Sequence, residues 1–429
     1  MASNFIPLEG KSKGYRIAMI ILAFLALSGF VSFIISYLEG HQMFGSNNAI
    51  PWGLPIVMAI YLIGLSAGLH ILAFLIYIMH QERYREVIRA AVFMAIVLIF
   101  GAMIFIALDL GRPEKFWRLF MLFFMNNMAS MFAINAIFYS CYFVSAVIYL
   151  ISLLNNMKRF SMIMGMIAFG WAMLTHGGTG AIFGFISTRE PWFSPLSPFE
   201  FIFAALTSSL ALLILVLVLI YKVTGRELAQ ELIASLGGLV KGLLLGMLLL
   251  MAIGELTHIY SPARDAAIYM LTGHLSWLFW ALLIGTGVII PLVILFHPSM
   301  KRSVRGVVIA SALIVVGIFV KRYYLVIPGA AYPLHYYPGK IEGVWGEVGS
   351  FSFAPIEIIL SIGIVGFLAL IYIMGLKYLE LLPAKDKIEK VDKKPPAPTA
   401  SEGIKEPRAK ADAITPDKAQ RKPDERNQK

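Results

Sequence analysis

The chain has 429 residues, of which 59% are hydrophobic and only 14% are charged, and its net charge is +11. A soluble domain of ordinary composition carries about 25% charged residues. The composition therefore excludes a soluble globular enzyme and predicts an all-α polytopic membrane protein. The positive charge fits contact with an anionic membrane surface, and a nucleic-acid partner is not expected.

Apolar runs long enough to cross a bilayer recur along the chain and predict ten transmembrane helices. In chain order these spans lie near 16–37, 55–79, 88–108, 129–153, 160–186, 200–221, 236–256, 275–296, 304–325 and 354–379. After Pro383 the sequence contains almost no aromatic or large aliphatic residues. Such a segment cannot bury enough surface to offset its ordering entropy. We therefore expect a membrane domain over 1–380 and a disordered charged tail over 381–429.

The basic residues of the short loops predict the orientation of the helices. With ten spans, both termini lie on the same side of the membrane. The loops on that side hold thirteen Lys and Arg residues before the tail is counted, and the loops on the opposite side hold eight. Both termini, and with them the tail, are therefore expected in the cytoplasm, with the protein in the cytoplasmic (inner) membrane.

Ionisable residues at membrane depth cluster toward the predicted outer face, where Asp109 ends the third span and Glu255 closes the seventh. His176 lies 16 residues into the fifth span, about 24 Å along it, within the glycine-rich segment MLTHGGTGAIFGF. Glycine weakens a helix, so this segment predicts close approach by another backbone or by a bound molecule. Buried ionisable groups are costly in hydrocarbon and usually mark a site or a pathway.

Structural roles are open for several of these residues. Asp109 and Arg112 could have a purely structural role, in which they cap the third span and form a salt bridge with each other. Lys321 and Arg322 fit snorkelling anchors better than ligands. Glu357 follows Ala-Pro at a helix start, where a carboxylate favours the helix dipole.

The second span carries the small-residue stretch GLSAG at 64–68, which fits close helix packing better than a binding surface. His70 follows it near the middle of the membrane and fits a hydrogen-bonded packing residue. A structural role is also open for His176, and for Glu255 the structural and functional interpretations are equally supported.

The cysteine and histidine content limits the cofactors of this chain. Its single cysteine, Cys141, excludes a cysteine-ligated iron–sulfur cluster and an intrachain disulfide. The intramembrane histidines are His70 and His176, and no helix offers the pair of histidines that a di-haem cytochrome needs. Neither haem nor a metal site is therefore expected. A membrane pocket that combines His, Asp, Glu and Arg suits proton exchange with a lipid-soluble carrier such as a quinol.

The segment that follows the third span reads LDLGRPEKFWRL at 108–119. It resembles the LDLGRP-x-R-x-W-R-L hallmark of the NrfD/PsrC family, the membrane quinol-interacting subunits of respiratory iron–sulfur complexes. Further similar segments follow the family's order over residues 15–380: AIPWGLPIVMAIYLIGLSAG at 49–68, THGGTGAIFG followed by WFSPLSPFEFIFAAL, KRYYLVIPG at 321–329, and PIEIILSIGIVGFLALIY. With ten spans, the chain resembles the larger branch of the family, which includes hydrogenase-, sulfite-reduction- and alternative-complex-III-linked members.

The resemblance implies two four-helix bundles, from spans 2–5 and 6–9, flanked by the first and last helices. It also implies that this chain holds no prosthetic group and acts as the quinone-reactive subunit of a multisubunit oxidoreductase. A quinone, with menaquinone favoured, would bind near the outer face. There it would exchange electrons with a ferredoxin-like iron–sulfur subunit, in a complex with further multihaem cytochrome or molybdopterin-type subunits.

The site residues are carried over from the matching motifs. The candidate catalytic residues are His176, Asp109 and Glu255, and the candidate quinone-binding residues are His176, Asp109, Arg112, Ser66, His70 and Thr179. Some relatives carry a histidine near Ser66, whereas here the histidine stands one turn later, at His70. Relatives also carry a carboxylate at the position of Ile182, so its absence leaves an inward proton route unsupported.

We expect a specific role for each of several of these residues. His176 is expected to hydrogen-bond a quinone oxygen and to accept a proton, and Asp109 to accept or relay one. Arg112 is expected to hold that carboxylate or a quinone oxygen. Loops 111–128 and 326–353 are predicted to form the docking surface for the iron–sulfur subunit. Two other functions fit the sequence: a secondary transporter, and a redox-inactive membrane anchor.

Overall fold

The structure is a computed structural model that describes residues 5–10, 12–78, 87–118, 120–121, 129–224, 229–336, 339–340 and 346–383. All described residues belong to one compact unit. The predicted disordered tail lies, from residue 384 onward, outside the described residues.

In this described part, ten helices are long and apolar enough to cross a membrane, which confirms the ten predicted spans. They are α1 (Lys13–Glu39), α2 (Leu54–Ile78), α3 (Ile88–Asp109), α4 (Met131–Leu154), α5 (Lys158–Gly184), α6 (Ser197–Thr224), α7 (Gln230–Ile259), α9 (Leu278–Phe296), α10 (Val304–Ala331) and α11 (Pro355–Tyr378). A short helix, α8 (Arg264–Thr272), lies between α7 and α9. The first part of α9, Leu278–Ile289, winds as a π-helix. The chain is a multi-pass, all-α membrane protein.

The predicted end of the ninth span, at residue 325, is too early. Helix α10 continues to Ala331 through Pro328, so the first residues of the predicted docking loop 326–353 are helical. A proline inside a helix removes one backbone hydrogen bond, but neighbouring groups can satisfy the freed carbonyls in a membrane protein. Pro328 leaves the carbonyl of Tyr324, four residues earlier, without its helical donor. The indole N–H of Trp192 donates to the next carbonyl, that of Leu325, at 2.7 Å.

The helices form the two bundles that the family resemblance implies. Helices α2, α3, α4 and α5 pack around one core and α6, α7, α9 and α10 around a second. Helix α2 is the most buried span and also packs against α6 and α10, so it lies at the junction of the bundles. Helices α1 and α11 pair through Gly29 and Gly363, whose backbones touch, and α11 packs against α3.

The glycines of the GLSAG stretch allow this packing. A Cβ at Gly64 would lie 2.9 Å from the His176 ring, and one at Gly68 would lie 2.5 Å from the carbonyl of Ala205. Larger residues would therefore push α2 away from α5 and α6. The interpretation of this stretch as a helix-packing surface is confirmed.

The two ends of the first bundle differ. At one end α3 and α5 finish and α2 and α4 begin; we call it the Asp109 end. At the other end Arg89 donates to the carbonyls of Leu153 and Glu380, at 2.6 and 3.1 Å. There the two-residue strands β1 (Phe5–Ile6) and β4 (Leu382–Pro383) pair with each other. Another short pair, β2 (His335–Tyr336) and β3 (Gly339–Lys340), lies in the connection from α10 to α11.

Candidate functional site

A cavity of about 230 Å³ lies inside the first bundle at the Asp109 end. Most of its wall is aliphatic or aromatic, and four side chains on α3, α4 and α5 bring polar groups to it. It is lined by Trp52, Ile56, Ala59, Ile60, Ile63, Ile106, Asp109, Leu110, Phe116, Phe132, Asn135, Ala136, Tyr139, Thr179, Ile182 and Phe183. The volume is somewhat below the roughly 300–1,000 Å³ of drug-sized ligand sites, so it suits a flat ring system.

Asp109 is the last residue of α3 and brings the carboxyl group of the cavity wall. Its Oδ1 is buried and has no hydrogen-bond partner within the described ranges. The turn that carries it is held by His41, whose Nε2 donates to the Asp109 carbonyl at 2.6 Å. Gly111 ends the turn with φ of +69°, a conformation that favours glycine. The backbone is therefore constrained, and the carboxyl group is left available.

Asn135, on α4, lines the cavity, and its amide oxygen is the atom left free to accept a hydrogen bond. Its Nδ2 donates to the carbonyls of Met131 and Gly178, at 2.7 and 3.1 Å. These two carbonyls determine the orientation of the amide, because the opposite orientation would place oxygen against oxygen. Its Oδ1 is buried and unpartnered among the residues that the structure describes. A Cβ at Gly178 would lie 2.5 Å from this oxygen, so glycine is needed there for α4 to approach α5.

Tyr139 and Thr179 form a buried hydroxyl pair across α4 and α5. Their oxygens are 2.9 Å apart, and the Thr179 hydroxyl also donates to the carbonyl of Thr175 at 2.7 Å. A threonine hydroxyl has one hydrogen. Since that hydrogen goes to the carbonyl, Tyr139 donates to Thr179.

Trp52 forms the aromatic side of the cavity, where it stacks on Trp192 with 5.3 Å between ring centroids. The same indole meets Phe132 and Phe183 edge-on, at 5.5 and 5.6 Å. Two lining residues are also exposed at the surface of the helices: Leu110 at 44% and Phe132 at 47%. The cavity therefore reaches the protein surface where α3 ends and α4 begins.

His176 is fully buried but does not belong to the cavity wall. Its Nε2 accepts a hydrogen bond from the Arg322 guanidinium at 3.3 Å, and its ring packs on Phe201 at 5.3 Å. The same guanidinium lies 3.9 Å above the Phe201 ring. His176 and Thr179 are both on α5, yet they face different surroundings.

A charge cluster surrounds Arg322 at the junction of the bundles. Lys321 pairs with Glu200 at 3.1 Å, and the charges of both residues act on Glu255. Arg322 is only 1% exposed. The interpretation of Lys321 and Arg322 as snorkelling anchors is therefore wrong: α10 extends beyond them, and both side chains turn into the protein.

Ser66 and His70 lie deeper in the first bundle, away from the cavity wall. Ser66 donates to the carbonyl of Ala95 at 2.6 Å and contacts the Tyr142 hydroxyl at 3.0 Å. The His70 ring lies between Tyr142 and Tyr149, at 5.5 and 5.3 Å. Neither His70 nitrogen has a partner in the described part of the chain, so the hydrogen bonds expected for a packing histidine are not formed there.

Arg112 and Glu357 flank Asp109 from outside the cavity. The Arg112 side chain is exposed, and the contacts between described residues include no ion pair between it and Asp109. Glu357 is fully buried in the first turn of α11, and its charge acts on Asp109. A buried carboxyl group, rather than a guanidinium, is therefore the ionisable side chain next to Asp109.

The sequence prediction thus identified Asp109 and Thr179 in the cavity but did not select Asn135, Tyr139 or Trp52. Asn135 and Tyr139 are four residues apart, and Tyr142 follows three residues later. This spacing places polar side chains on one face of an otherwise apolar helix. The sequence of this helix therefore contains the pattern that predicts a polar face. Glu200, in the charge cluster, was also missed, because at the start of a helix it reads as a dipole partner.

The cavity combines apolar walls, an edge at the protein surface and buried oxygens that have no partner among the described residues. Such a site can hold an apolar ring that carries hydroxyl or carbonyl groups, and its carboxyl group can exchange a proton with that ring. Among the described residues, no group of three or more His, Cys, Asp or Glu side chains is arranged to hold a metal ion.

Comparison with known proteins gives a consistent assignment. A family model described as polysulphide reductase, NrfD, matches residues 42–333. The Hdr-like menaquinol oxidoreductase integral membrane subunit of Archaeoglobus fulgidus is 33% identical over 91% of this chain and 100% of its own length. A selenate reductase subunit of Mesobacillus selenatarsenatis is 27% identical over 90% and 98%. The integral membrane subunit of menaquinone reductase of Nitratidesulfovibrio vulgaris is 25% identical over 82% and 88%.

Proposed function

Because this chain belongs to the NrfD family, we propose that it is the quinone-reactive membrane subunit of a respiratory oxidoreductase. In this role it exchanges electrons between the membrane quinone pool and a partner subunit. Its relatives are named as subunits of menaquinol oxidoreductase, selenate reductase and menaquinone reductase. Two of these names contain menaquinol or menaquinone, which makes menaquinone the favoured carrier.

One observation carries this proposal: a buried carboxyl oxygen without a described partner lies on the wall of an apolar cavity that reaches the surface where α3 ends and α4 begins. A quinone has an apolar ring, a hydrocarbon tail and two oxygens that gain or lose protons with its electrons. The ring fits the apolar wall, and the tail can leave through the opening beside Leu110 and Phe132. The carboxyl group of Asp109 can take up one of the two protons that a quinol releases.

We propose supporting roles for the other predicted residues. His176 holds the Arg322 guanidinium behind the cavity, and Glu255 balances the charge of Lys321. Thr179 orders the phenol of Tyr139, while Ser66 and His70 belong to the polar interior below the cavity. Arg112, at the exposed turn after Asp109, is placed for contact with a partner or with lipid headgroups.

The partner and the orientation are also proposals. Thirteen loop cations against eight favour cytoplasmic termini, which puts the Asp109 end at the outer face of the inner membrane. A ferredoxin-like iron–sulfur subunit would then dock on loops 111–128 and 326–353, with multihaem cytochrome or molybdopterin-type subunits beyond it. Part of both loops, at 119, 122–128, 337–338 and 341–345, lies outside the described residues.

Asp109→Asn tests the proposed site, because it keeps the shape of the side chain and removes its proton-accepting charge. Quinol-linked turnover of the assembled complex is expected to fall about 10²-fold or more. Electron transfer among the partner's own centres, measured with a soluble dye, should persist. The control is Asp265→Asn on the exposed surface of α8, which should retain turnover. Wild-type quinol turnover in an assembled Asp109→Asn complex would refute the assignment.

A further inference from the structure

From the hydrogen-bond pattern of the cavity, we infer that this site binds the reduced carrier, a quinol, more tightly than the quinone. The inference rests on the proposed function and adds the redox state of the preferred ligand. It depends on which polar groups of the wall have a hydrogen left to donate. A quinone oxygen only accepts hydrogen bonds, whereas a quinol hydroxyl both donates and accepts.

Asn135 offers an acceptor and no donor. Both hydrogens of its Nδ2 are used by the carbonyls of Met131 and Gly178. Its Oδ1 is the free atom, and it is buried without a partner inside the described ranges. A ligand satisfies this oxygen only if the ligand brings a hydrogen.

Tyr139 is also an acceptor in this arrangement. Its hydroxyl hydrogen goes to Thr179, because the single hydrogen of Thr179 goes to the carbonyl of Thr175. The phenol oxygen keeps lone pairs and has no second hydrogen. Thr179, although it lines the cavity, therefore acts on the ligand by determining which way Tyr139 donates.

Asp109 adds a third acceptor while it is ionised, through the unpartnered Oδ1. The indole of Trp52 is the donor side chain of the wall for which the described contacts show no hydrogen bond. An N–H can donate to a quinol oxygen as readily as to a quinone oxygen, so Trp52 does not discriminate between them. The oxygens of α3 and α4 do, because only the quinol supplies hydrogens to them.

The preference determines which form of the carrier occupies the site. A buried acceptor left unmatched lowers affinity by roughly tenfold, so the quinone is expected to bind about tenfold more weakly than the quinol. Oxidation of the bound quinol moves its two electrons to the partner and its protons to acceptors such as Asp109. The quinone no longer supplies hydrogens to Asn135 and Tyr139, so it leaves more readily than the quinol. The site thus takes up quinol and releases quinone readily, while the tighter binding of the quinol raises the reduction potential of the bound couple by the corresponding amount.

Thr179→Val separates this inference from a general effect on packing. Valine keeps the shape of threonine but removes the oxygen that takes the Tyr139 hydrogen. The phenol can then donate to the ligand, so quinone affinity should rise and the preference should become smaller, while Asn135 and Asp109 continue to favour the quinol. Thr207→Val is the matched control. Thr207 is also fully buried and donates to a backbone carbonyl at 2.7 Å, but it lies on α6 outside the cavity.

Binding is measured by anaerobic calorimetry on the full-length chain in lipid nanodiscs, with menadione, menadiol and the dimethyl ether of menadiol. The wild type should bind menadiol about tenfold more tightly than menadione. The ether has the same ring without hydroxyl hydrogens, and it should bind no better than menadione. Tyr139→Phe is a second variant that should weaken menadiol binding and leave menadione binding unchanged.

The outcomes distinguish the preference from the site itself. Equal affinity for menadiol and menadione in the wild type, or tighter menadione binding, would overturn the preference and leave the proposed quinone site intact. Tight binding of the ether would also overturn it. If neither menadiol nor menadione bound saturably, the quinone site and the preference would both fall.

Discussion

The contact between His176 and Arg322 can be tested by removing each partner separately and then both together. Arg322 is only 1% exposed, and its NH1 has no partner among the described residues. The His176 nitrogen at 3.3 Å is therefore an important acceptor for this guanidinium. His176→Ala leaves a buried charge with one acceptor fewer and also creates a void. Arg322→Met removes the charge and keeps most of the side-chain volume.

The expected costs follow from this geometry. Removing one partner of a buried charged contact typically costs about 3–5 kcal/mol, whereas replacing the whole contact by apolar groups is often close to neutral. We expect His176→Ala to destabilise the protein by about that amount. The double variant should be more stable than the sum of the single variants predicts, by about 1–3 kcal/mol.

Thermal unfolding in nanodiscs, followed by tryptophan fluorescence, gives the stabilities, and quinol-linked turnover of the assembled complex gives the function. If His176 acts by holding Arg322, then Arg322→Met should restore part of the turnover lost in His176→Ala. If His176 binds the quinone directly, as the sequence suggests, the double variant should stay inactive. Additive stability losses in the double variant would refute the proposed coupling between the two residues.

Two further expectations concern helix packing and orientation. Gly64→Ala should lower the melting temperature, since its Cβ would lie 2.9 Å from the His176 ring and overpacking costs about 1–3 kcal/mol. The control Gly170→Ala should be neutral or stabilising, because no atom lies within 4 Å of the added Cβ. Equal effects of the two variants on the melting temperature would contradict the close contact at Gly64. A reporter enzyme fused after Pro383 should be active only in the cytoplasm, because the excess of loop cations on the side of the termini favours a cytoplasmic location. Reporter activity only outside the cell would reverse the proposed orientation.

The length of α10 explains why Lys321 and Arg322 are not anchors at the membrane surface. With a helix end predicted at residue 325, both cations stand one turn from the membrane surface, where snorkelling is usual. Helix α10 in fact ends at Ala331, ten residues and about 15 Å beyond Lys321. The sequence shows Pro328, but it does not show that neighbouring helices allow the chain to remain helical through it.

The local sequence by itself determined the ten spans, the end of the bundle at which polar groups gather, and the family. Hydrophobic length is a property of each segment, and motif spacing can be read without knowing what the segment contacts. Asp109 was identified for the same reason, because a carboxylate at the end of an apolar run is conspicuous wherever its neighbours lie.

Only the tertiary structure decided which polar groups face the cavity and which face each other. His176 and Thr179 are three positions apart, so they differ by about 60° around α5. That angle is enough to put Thr179 on the cavity wall and His176 against Arg322, a residue 146 positions later in the chain. The direction of the Tyr139 hydrogen likewise depends on Thr179, on another helix. Such pairings depend on how helices rotate and approach one another, and the pattern of a single helix does not contain that information.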